Sequence, residues 1–376
     1  MDTTNSEIKV HVVTRVSELL SLQDQYQELF EQSNHAHVNH TFAYLIANAS
    51  LKRPHESWRC FIAFQNKKIL GCLFGYQVAR KKFGIPFHIF ILGTEHISDP
   101  LLSPHMTHVT LTQLIKRLMQ DRKNCPAFDF SRLTPPAHKI LKENLSASKL
   151  NFASNWTSYG YTLDTSVSEK AFLNKVNSKS IQEINRKFRK LSSKYHVKLR
   201  LEPPRDSATN NKLFNAFLSM ENSGWKGKAK TSIRLRPGHE AYYKKIIEVA
   251  DEVNQVIWCE LKADEIPIAM MLCFKTHNTL WIPKVAYDEN YSRYGPGIMA
   301  THLMILRCLE DTSITKINCI SATPWMKTWQ PSREECQSIL LFNNTSLARL
   351  LHAGFSLHKL AQKYLSRHPA SKRPYI

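Results

Sequence analysis

Between residues 256 and 320 the chain carries three apolar runs of strand length, at 256–261, 266–274 and 279–287. The turn Gly295-Pro296-Gly297, an apolar helix at 298–309 and a further strand at 314–320 follow them. Short apolar runs bounded by polar breaks read as neighbouring antiparallel strands. A helix inserted before the last strand makes the sheet mixed. The earlier half of the chain repeats that order. It shows a strand at 8–13, an amphipathic helix at 16–30, strands at 58–64, 69–78 and 87–92, a helix at 109–119 and a strand at 128–133. Gln65-Asn66-Lys67-Lys68 reads as a hairpin turn, and Pro135-Pro136 as the end of a strand.

A chain of 376 residues exceeds what one core of ordinary size accommodates. The expected division is an N-terminal domain at 1–160, a second domain at 161–366 and a basic tail at 367–376. The expected fold class is α+β, each domain a mixed, mostly antiparallel sheet flanked by helices. Residues 155–164 read as the crossover between halves. Ser168 reads as the N-cap of a helix, 180–194 as a helix dense in cations, 197–201 as a strand, and 210–221 and 240–249 as helices. The chain then ends in a helix and the basic tail.

The formal net charge of +20 attracts anions, and nucleic acid, anionic lipid, a nucleotide-bearing cofactor and an acidic glycan all fit it. No apolar run reaches the roughly 18–20 residues of a membrane helix, and the first residues lack a secretory pattern. Cytoplasm is therefore the expected location, with peripheral membrane contact left open. Eight cysteines stand singly and read as buried thiols in a reducing compartment. His35, His37 and His40 lack a fourth ligand at fixed spacing and fit a polar loop before a helix, so no metal is expected.

Three segments suggest chemistry. The first, Tyr291-Ser292-Arg293-Tyr294-Gly295-Pro296-Gly297-Ile298, follows a strand and opens a helix. Helix-terminal N–H groups and the helix dipole bind phosphate, glycine lets the backbone approach it, and Arg293 adds a cation. The second, Trp281-Ile282-Pro283-Lys284-Val285-Ala286-Tyr287-Asp288, has a proline that interrupts a ladder, as at a bulge or splay that leaves amides for an acyl thioester. The third, Pro324-Trp325-Met326-Lys327-Thr328-Trp329, sets a lysine between two tryptophans. Trp225-Lys226-Gly227 has a similar look. Each also reads as ordinary structure when taken alone.

In combination, Trp225-Lys226-Gly227, Tyr287-Asp288, Tyr294-Gly295-Pro296-Gly297 and Lys327 with Trp329 resemble the CelD/BcsL-type acetyltransferases. That family belongs to the GNAT superfamily and is related to the FemAB peptidyltransferases. The cationic stretch SKSIQEINRKFRKL at 178–191 and GTEHISDPLL at 93–102 are similar to further parts of it. The resemblance implies two tandem GNAT-like domains, with the second binding acetyl-CoA or another acyl-CoA. It implies that Tyr287, Arg293, Tyr294, Gly295, Gly297, Ile298 and Met299 hold this co-substrate. It implies Trp225, Lys226 and Trp329 as substrate-binding residues, and Lys327 and Asp288 as catalytic ones. The acceptor would be an amine or hydroxyl of a small molecule or glycan precursor, attacking the thioester directly. Ser292 stands where the general GNAT loop has Arg or Gln. Asn318, Cys319, Ala322 and Met326 stand where the family has Asp, Phe, Gly and Tyr. Two alternatives follow: an aminoacyl-tRNA-dependent transferase of FemAB type, favoured by the charge, and a non-catalytic binding protein on the same scaffold.

Overall fold

A computed structural model of the chain describes residues 7–33, 37–51, 57–82, 85–93, 97–252 and 254–367. The strands are β1 (Lys9–Val13), β2 (Trp58–Gln65), β3 (Lys68–Lys82), β4 (Ile85–Leu92), β5 (Leu101–Leu102), β6 (Ala127–Leu133), β7 (Phe152–Asp164), β8 (Val197–Glu202), β9 (Gln255–Ala263), β10 (Ile266–Thr276), β11 (Thr279–Tyr287), β12 (Lys316–Asn318) and β13 (Ser332–Phe342). The helices are α1 (Val16–Leu20), α2 (Gln23–Gln32), α3 (Phe42–Ser50), α4 (Thr107–Asp121), α5 (Pro135–Ala147), α6 (Glu169–Lys175), α7 (Ser178–Ser192), α8 (Ser207–Ser223), α9 (Trp225–Lys228), α10 (His239–Val249), α11 (Pro296–Glu310) and α12 (Ser346–Arg367).

The chain divides into two units, one of residues 1–35, 54–158 and 336–376, the other of residues 36–53 and 159–335. Where the sequence suggests one boundary at 160/161, the chain passes between units at 35/36, 53/54, 158/159 and 335/336. The cause is visible in α3. Its residues 42 to 49 are all buried, so it needs cover all round and takes its partners from the second unit. Tyr44 meets Phe274 edge-on at 5.6 Å and Tyr242 at 6.2 Å.

In the first unit the sheet order is β1-β2-β3-β4-β6-β13, antiparallel except for the parallel pair β4/β6, with β5 on β3. Its core joins Phe61, Phe90, Phe128 and Phe130 of the sheet to Leu111, Leu114 and Leu118 of α4. Asn66 and Lys67 have φ of 50° and 65°, the two left-handed residues of a tight hairpin turn. The helix expected at 16–30 is two, α1 and α2. Pro135 and Pro136 do more than end β6: they open α5, where a missing N–H costs nothing. The expected crossover at 155–164 is part of β7, and β13 was hidden by its polar first half. Of the GTEHISDPLL segment, residues 94–96 lie outside the described residues, as do the tail residues 368–376 and His35.

In the second unit the order is β7-β12-β11-β10-β9-β8, with β11/β12 parallel and the other pairs antiparallel. Helices cover both faces. Ala269, Met271 and Cys273 of β10 pack with Ile184 and Leu191 of α7 and with Met299, Met304 and Ile305 of α11. Met270, Leu272 and Phe274 pack on the other face with Phe214 and Phe217 of α8, Ile246 of α10 and Tyr44 of α3. Burial on both faces from Ile268 to Phe274 is why this stretch reads as an unbroken apolar run. His37 and His40 form a buried turn that leads into α3: the Nδ1 of His40 accepts the His37 N–H at 3.1 Å.

Candidate functional site

The site begins where two strands part. β12 pairs with only three residues of β11: Thr279↔Lys316, Leu280↔Ile317 and Trp281↔Asn318. Its course ends at Ile320, which takes φ of 59° and donates its N–H to the side chain of Asn318 at 2.7 Å. The amides of Cys319 and Ala322 bond to the Tyr161 and Tyr159 carbonyls at 2.9 and 3.1 Å. β11 runs on to Tyr287 paired with β10 alone. Ile282 and Pro283 stand opposite the single residue Cys273, which is the bulge that the proline suggests. Beyond it, Asp288 donates to the Ile268 carbonyl of β10 at 2.9 Å. Alternation then points the N–H and C=O of Val285 and Tyr287 to the side that β12 has left.

The turn after β11 supplies more donors. Gly295 has φ of 65°, a left-handed conformation that glycine adopts without strain. Met299 is the first α11 residue to bond back, to the Gly295 carbonyl at 3.0 Å. The N–H groups of Gly297 and Ile298 find no acceptor among the described residues, and Pro296 has none to place. A Cβ on Gly297 would stand 3.3 Å from Cδ1 of Tyr287, so the Tyr287 ring lies against the first turn of α11. A Cβ on Gly295 would stand 3.8 Å from Nζ of Lys187. The cationic helix α7 thus brings an ammonium beside Gly295, the residue that precedes α11. Lys187 is also 3.5 Å from Glu183, but that carboxylate is taken by a bidentate bond from Arg186 at 2.7 and 2.8 Å. The Arg186 bonds hold the Glu183 carboxyl down at about 2. Arg293 lies over the Tyr294 ring at 4.7 Å, and Tyr294 is buried with its hydroxyl unpaired among the described residues.

The remaining expected residues have other surroundings. Asp288 is half-buried and caps the 3-10 turn Glu289–Tyr294, accepting the Asn290 N–H at 2.9 Å. Trp225 is exposed. Lys226 is engaged: its ammonium donates to the Glu221 carboxylate and to the Val285 carbonyl, each at 2.8 Å. Glu221 is buried and also accepts the Ile233 N–H at 2.7 Å. Gly227 must be glycine, since a Cβ there would come within 1.8 Å of the Asn222 carbonyl oxygen. Lys327 is exposed, in the 3-10 turn Pro324–Trp329, with no ion pair or side-chain hydrogen bond among the described residues. Trp329 is 1% exposed, packed edge-on against Trp325 and donating its indole N–H to Nδ1 of His302 at 3.4 Å. It is a core residue with no surface to offer a substrate, and buried Met299 offers only its backbone. The structure therefore gathers Tyr287, Gly295, Gly297, Ile298 and Lys187 at one place, with Lys226 fastened to the same strand. Lys327 and Asp288 share no hydrogen bond or ion pair.

In the sequence Lys187 is one cation among several of a basic helix, and neither Glu221 nor His302 is marked out. Nothing in the cationic helix singles out Lys187 from Arg186, Arg189 or Lys190, and Glu221 looks like any helical glutamate. Burial lowers the pKa of His302 below the usual imidazole value, and its Nδ1 serves as the acceptor for Trp329, so the ring is neutral. The unfolded chain binds a proton at about 6.5 and the folded one only at lower pH. Stability of the second unit should therefore fall as pH drops below about 6.5, until the folded-state value is passed. His302→Gln should flatten that part of the curve in urea titrations at pH 5–7.5, and an unchanged slope would refute the assignment.

All eight cysteines are buried, and no disulfide joins any of them among the described residues. Among the described residues no group of three or more His, Cys, Asp or Glu side chains stands where it could hold a metal ion. No helix among them is long and apolar enough to cross a membrane.

The family model described as acetyltransferase (GNAT) domain matches residues 178–320. No curated protein matches the chain. Among solved structures, FemX superposes with a TM-score of 0.61 at 9% identity, over 88% of this chain and 98% of its own. The C-terminal domain (DUF2156) of a candidate lysylphosphatidylglycerol synthetase from Agrobacterium fabrum gives a TM-score of 0.54 at 11% identity, over 91% of this chain and 97% of its own. L-PGS from Bacillus licheniformis gives 0.53 at 11% identity, over 88% and 96%. At such identities the likeness to these structures is one of fold alone: helices flanking a mixed, mostly antiparallel sheet.

Proposed function

We propose that the second unit is a GNAT-type N- or O-acyltransferase that takes its acyl group from acetyl-CoA or another acyl-CoA. The observation that carries this reading is a coincidence in space. The edge of β11 that β12 abandons runs directly into a helix start with two unbonded amides, and Tyr287 spans the two. The Gly297 and Ile298 amides and the Lys187 ammonium suit a diphosphate, since charge-assisted bonds at a helix N-terminus are strong. Arg293 is a second cation beside the turn. The pantetheine arm and thioester would follow the β11 edge, where the Val285 and Tyr287 amides face the carbonyl oxygen that becomes negative during transfer. Attack by the acceptor forms the new C–N or C–O bond as the C–S bond breaks, and the thiolate leaves on CoA. No acyl-enzyme is required, because holding donor and acceptor in line supplies much of the rate. Asp288 is the candidate to orient the acceptor or remove its proton, and Lys327 to steady an anionic acceptor. Exposed Trp225 is the candidate acceptor contact.

The finer reading is a CelD/BcsL-type enzyme with two tandem GNAT-like domains, working in the cytoplasm on an envelope or exopolysaccharide precursor. A second reading, transfer from aminoacyl-tRNA, is favoured by the exposed Lys179, Arg186, Arg189, Lys190 and Lys194 in and just after α7. Calorimetric titration separates the two. Acetyl-CoA binding that persists in 0.2 M salt supports the first reading. Binding of tRNA that weakens steeply with salt, together with no binding of any acyl-CoA, supports the second. In the first case Lys187→Met should weaken acetyl-CoA about tenfold, the worth of one partly exposed charged bond. Undiminished affinity would remove Lys187 from the site. Binding without turnover on any acceptor amine or hydroxyl would favour a non-catalytic role.

A further inference from the structure

We infer that Lys226 is a positioning residue that holds the parted edge of β11 open, rather than a ligand of the acceptor; the inference rests on the acyl-CoA reading above. A strand that loses its neighbour is left with peptide groups that nothing satisfies. On β11 the first outward carbonyl beyond the bulge is that of Val285, and it is the one the Lys226 ammonium meets at 2.8 Å. The same ammonium is held at 2.8 Å by Glu221, which is 3% exposed and whose second oxygen is occupied by the Ile233 N–H at 2.7 Å. The lysine is therefore fixed from both sides. Its backbone is fixed as well, since the Lys226 carbonyl accepts the Thr231 N–H at 2.7 Å. The tight turn at Gly227 brings α9 close enough to the end of α8 for the pair to form.

Such a clamp has a specific consequence. In a strand, the N–H and C=O of one residue point to the same side. Fixing the Val285 carbonyl therefore fixes the direction of the Val285 N–H, and of the Tyr287 N–H two residues on. A polar side chain now occupies the carbonyl that β12 would otherwise have bonded. The strand keeps its Val285 and Tyr287 donors available while the Val285 carbonyl, the first of its two outward acceptors, is satisfied, which leaves fewer acceptors facing a thioester oxygen. The charge on Lys226 also explains the burial of Glu221, a carboxylate that would be costly without a partner.

The clamp acts on the acyl arm and not on the phosphates, and this separates it from a merely structural role. Two probes are titrated against the full chain: acetyl-CoA, and adenosine 3′,5′-bisphosphate, which carries nucleotide phosphates and no arm. In Lys226→Met, acetyl-CoA should weaken about tenfold and turnover fall roughly 10–100-fold, the scale of a small misplacement of reacting groups. Affinity for the bisphosphate should stay within about twofold. Because Lys226→Met strands a buried carboxylate and can unfold the unit, the paired variant Lys226→Met with Glu221→Gln is the control that keeps the shape and removes both charges. It should fold and show the same split between probes. Equal weakening of both probes, or full acetyl-CoA affinity in the folded double variant, overturns the positioning role. If the unaltered chain binds neither probe, the donor reading itself falls, and the role of Lys226 with it.

Discussion

Gly297→Asp should weaken acetyl-CoA binding on the order of 100-fold while leaving the second unit folded. The new carboxylate would stand among the Gly297 and Ile298 N–H groups, which have no acceptor of their own among the described residues. There it competes for the donors and repels the diphosphate. Charged hydrogen bonds contribute about 1.5–3 kcal/mol each. Like charges about 4 Å apart near a protein surface repel by up to about 4 kcal/mol. Loss of even one such term, with part of the repulsion, exceeds the roughly 2.7 kcal/mol that corresponds to 100-fold. Stability moves the other way, because an acidic residue in the first turn of a helix is favourable by about 0.3–1 kcal/mol. The steric cost is small: the Cβ meets Cδ1 of Tyr287 at 3.3 Å, and the ring must yield a few tenths of an ångström. Gly297→Ala keeps both amides and isolates that steric part. Calorimetry and thermal melting on the same samples check the result. A folded Gly297→Asp protein with unaltered acetyl-CoA affinity would remove the turn from any account of donor binding.

Tyr44→Ala should destabilise the second unit by about 3–5 kcal/mol, the usual cost of deleting a fully buried aromatic ring. Tyr44 lies near the N-terminus in sequence yet is 0% exposed inside the second unit, edge-on to Phe274 and Tyr242. Asn48, one turn later on α3, donates to the Tyr242 hydroxyl at 3.3 Å. Urea unfolding followed by fluorescence of Trp258 and Trp281, both in the same core cluster, reports on this unit. The same argument forecasts the fate of a chain cut at residue 161, where the sequence suggests a boundary. Without α3, that fragment bares Phe274, Tyr242 and Tyr243 and should not reach the native state. A stable fragment would show that α3 is dispensable to this core.

Much of the architecture is written locally. The runs that become β9, β10 and β11 are legible because apolar content of strand length needs no distant information. The turn at Gly295 is legible because only certain residues tolerate a left-handed corner followed by a helix start. The β2–β3 hairpin is legible for the same reason. Pro283 marked the bulge, since a residue without an N–H cannot sit in an unbroken ladder.

Local residue order thus specifies a set of elements, their periods and the corners between them, all properties of residues within a few positions of one another. Tertiary structure alone decided which core each apolar surface joins and which charge meets which partner. Apolar burial has no direction, so nothing in α3 names the second unit as its cover, and nothing in Trp329 distinguishes a core indole from a substrate contact. The bond from Lys226 to Val285 spans 59 positions, and Lys187 approaches Gly295 from another helix. Such encounters depend on how the sheet is ordered and where β12 stops. Those are outcomes of the whole chain packing at once, and no short stretch of residues contains them.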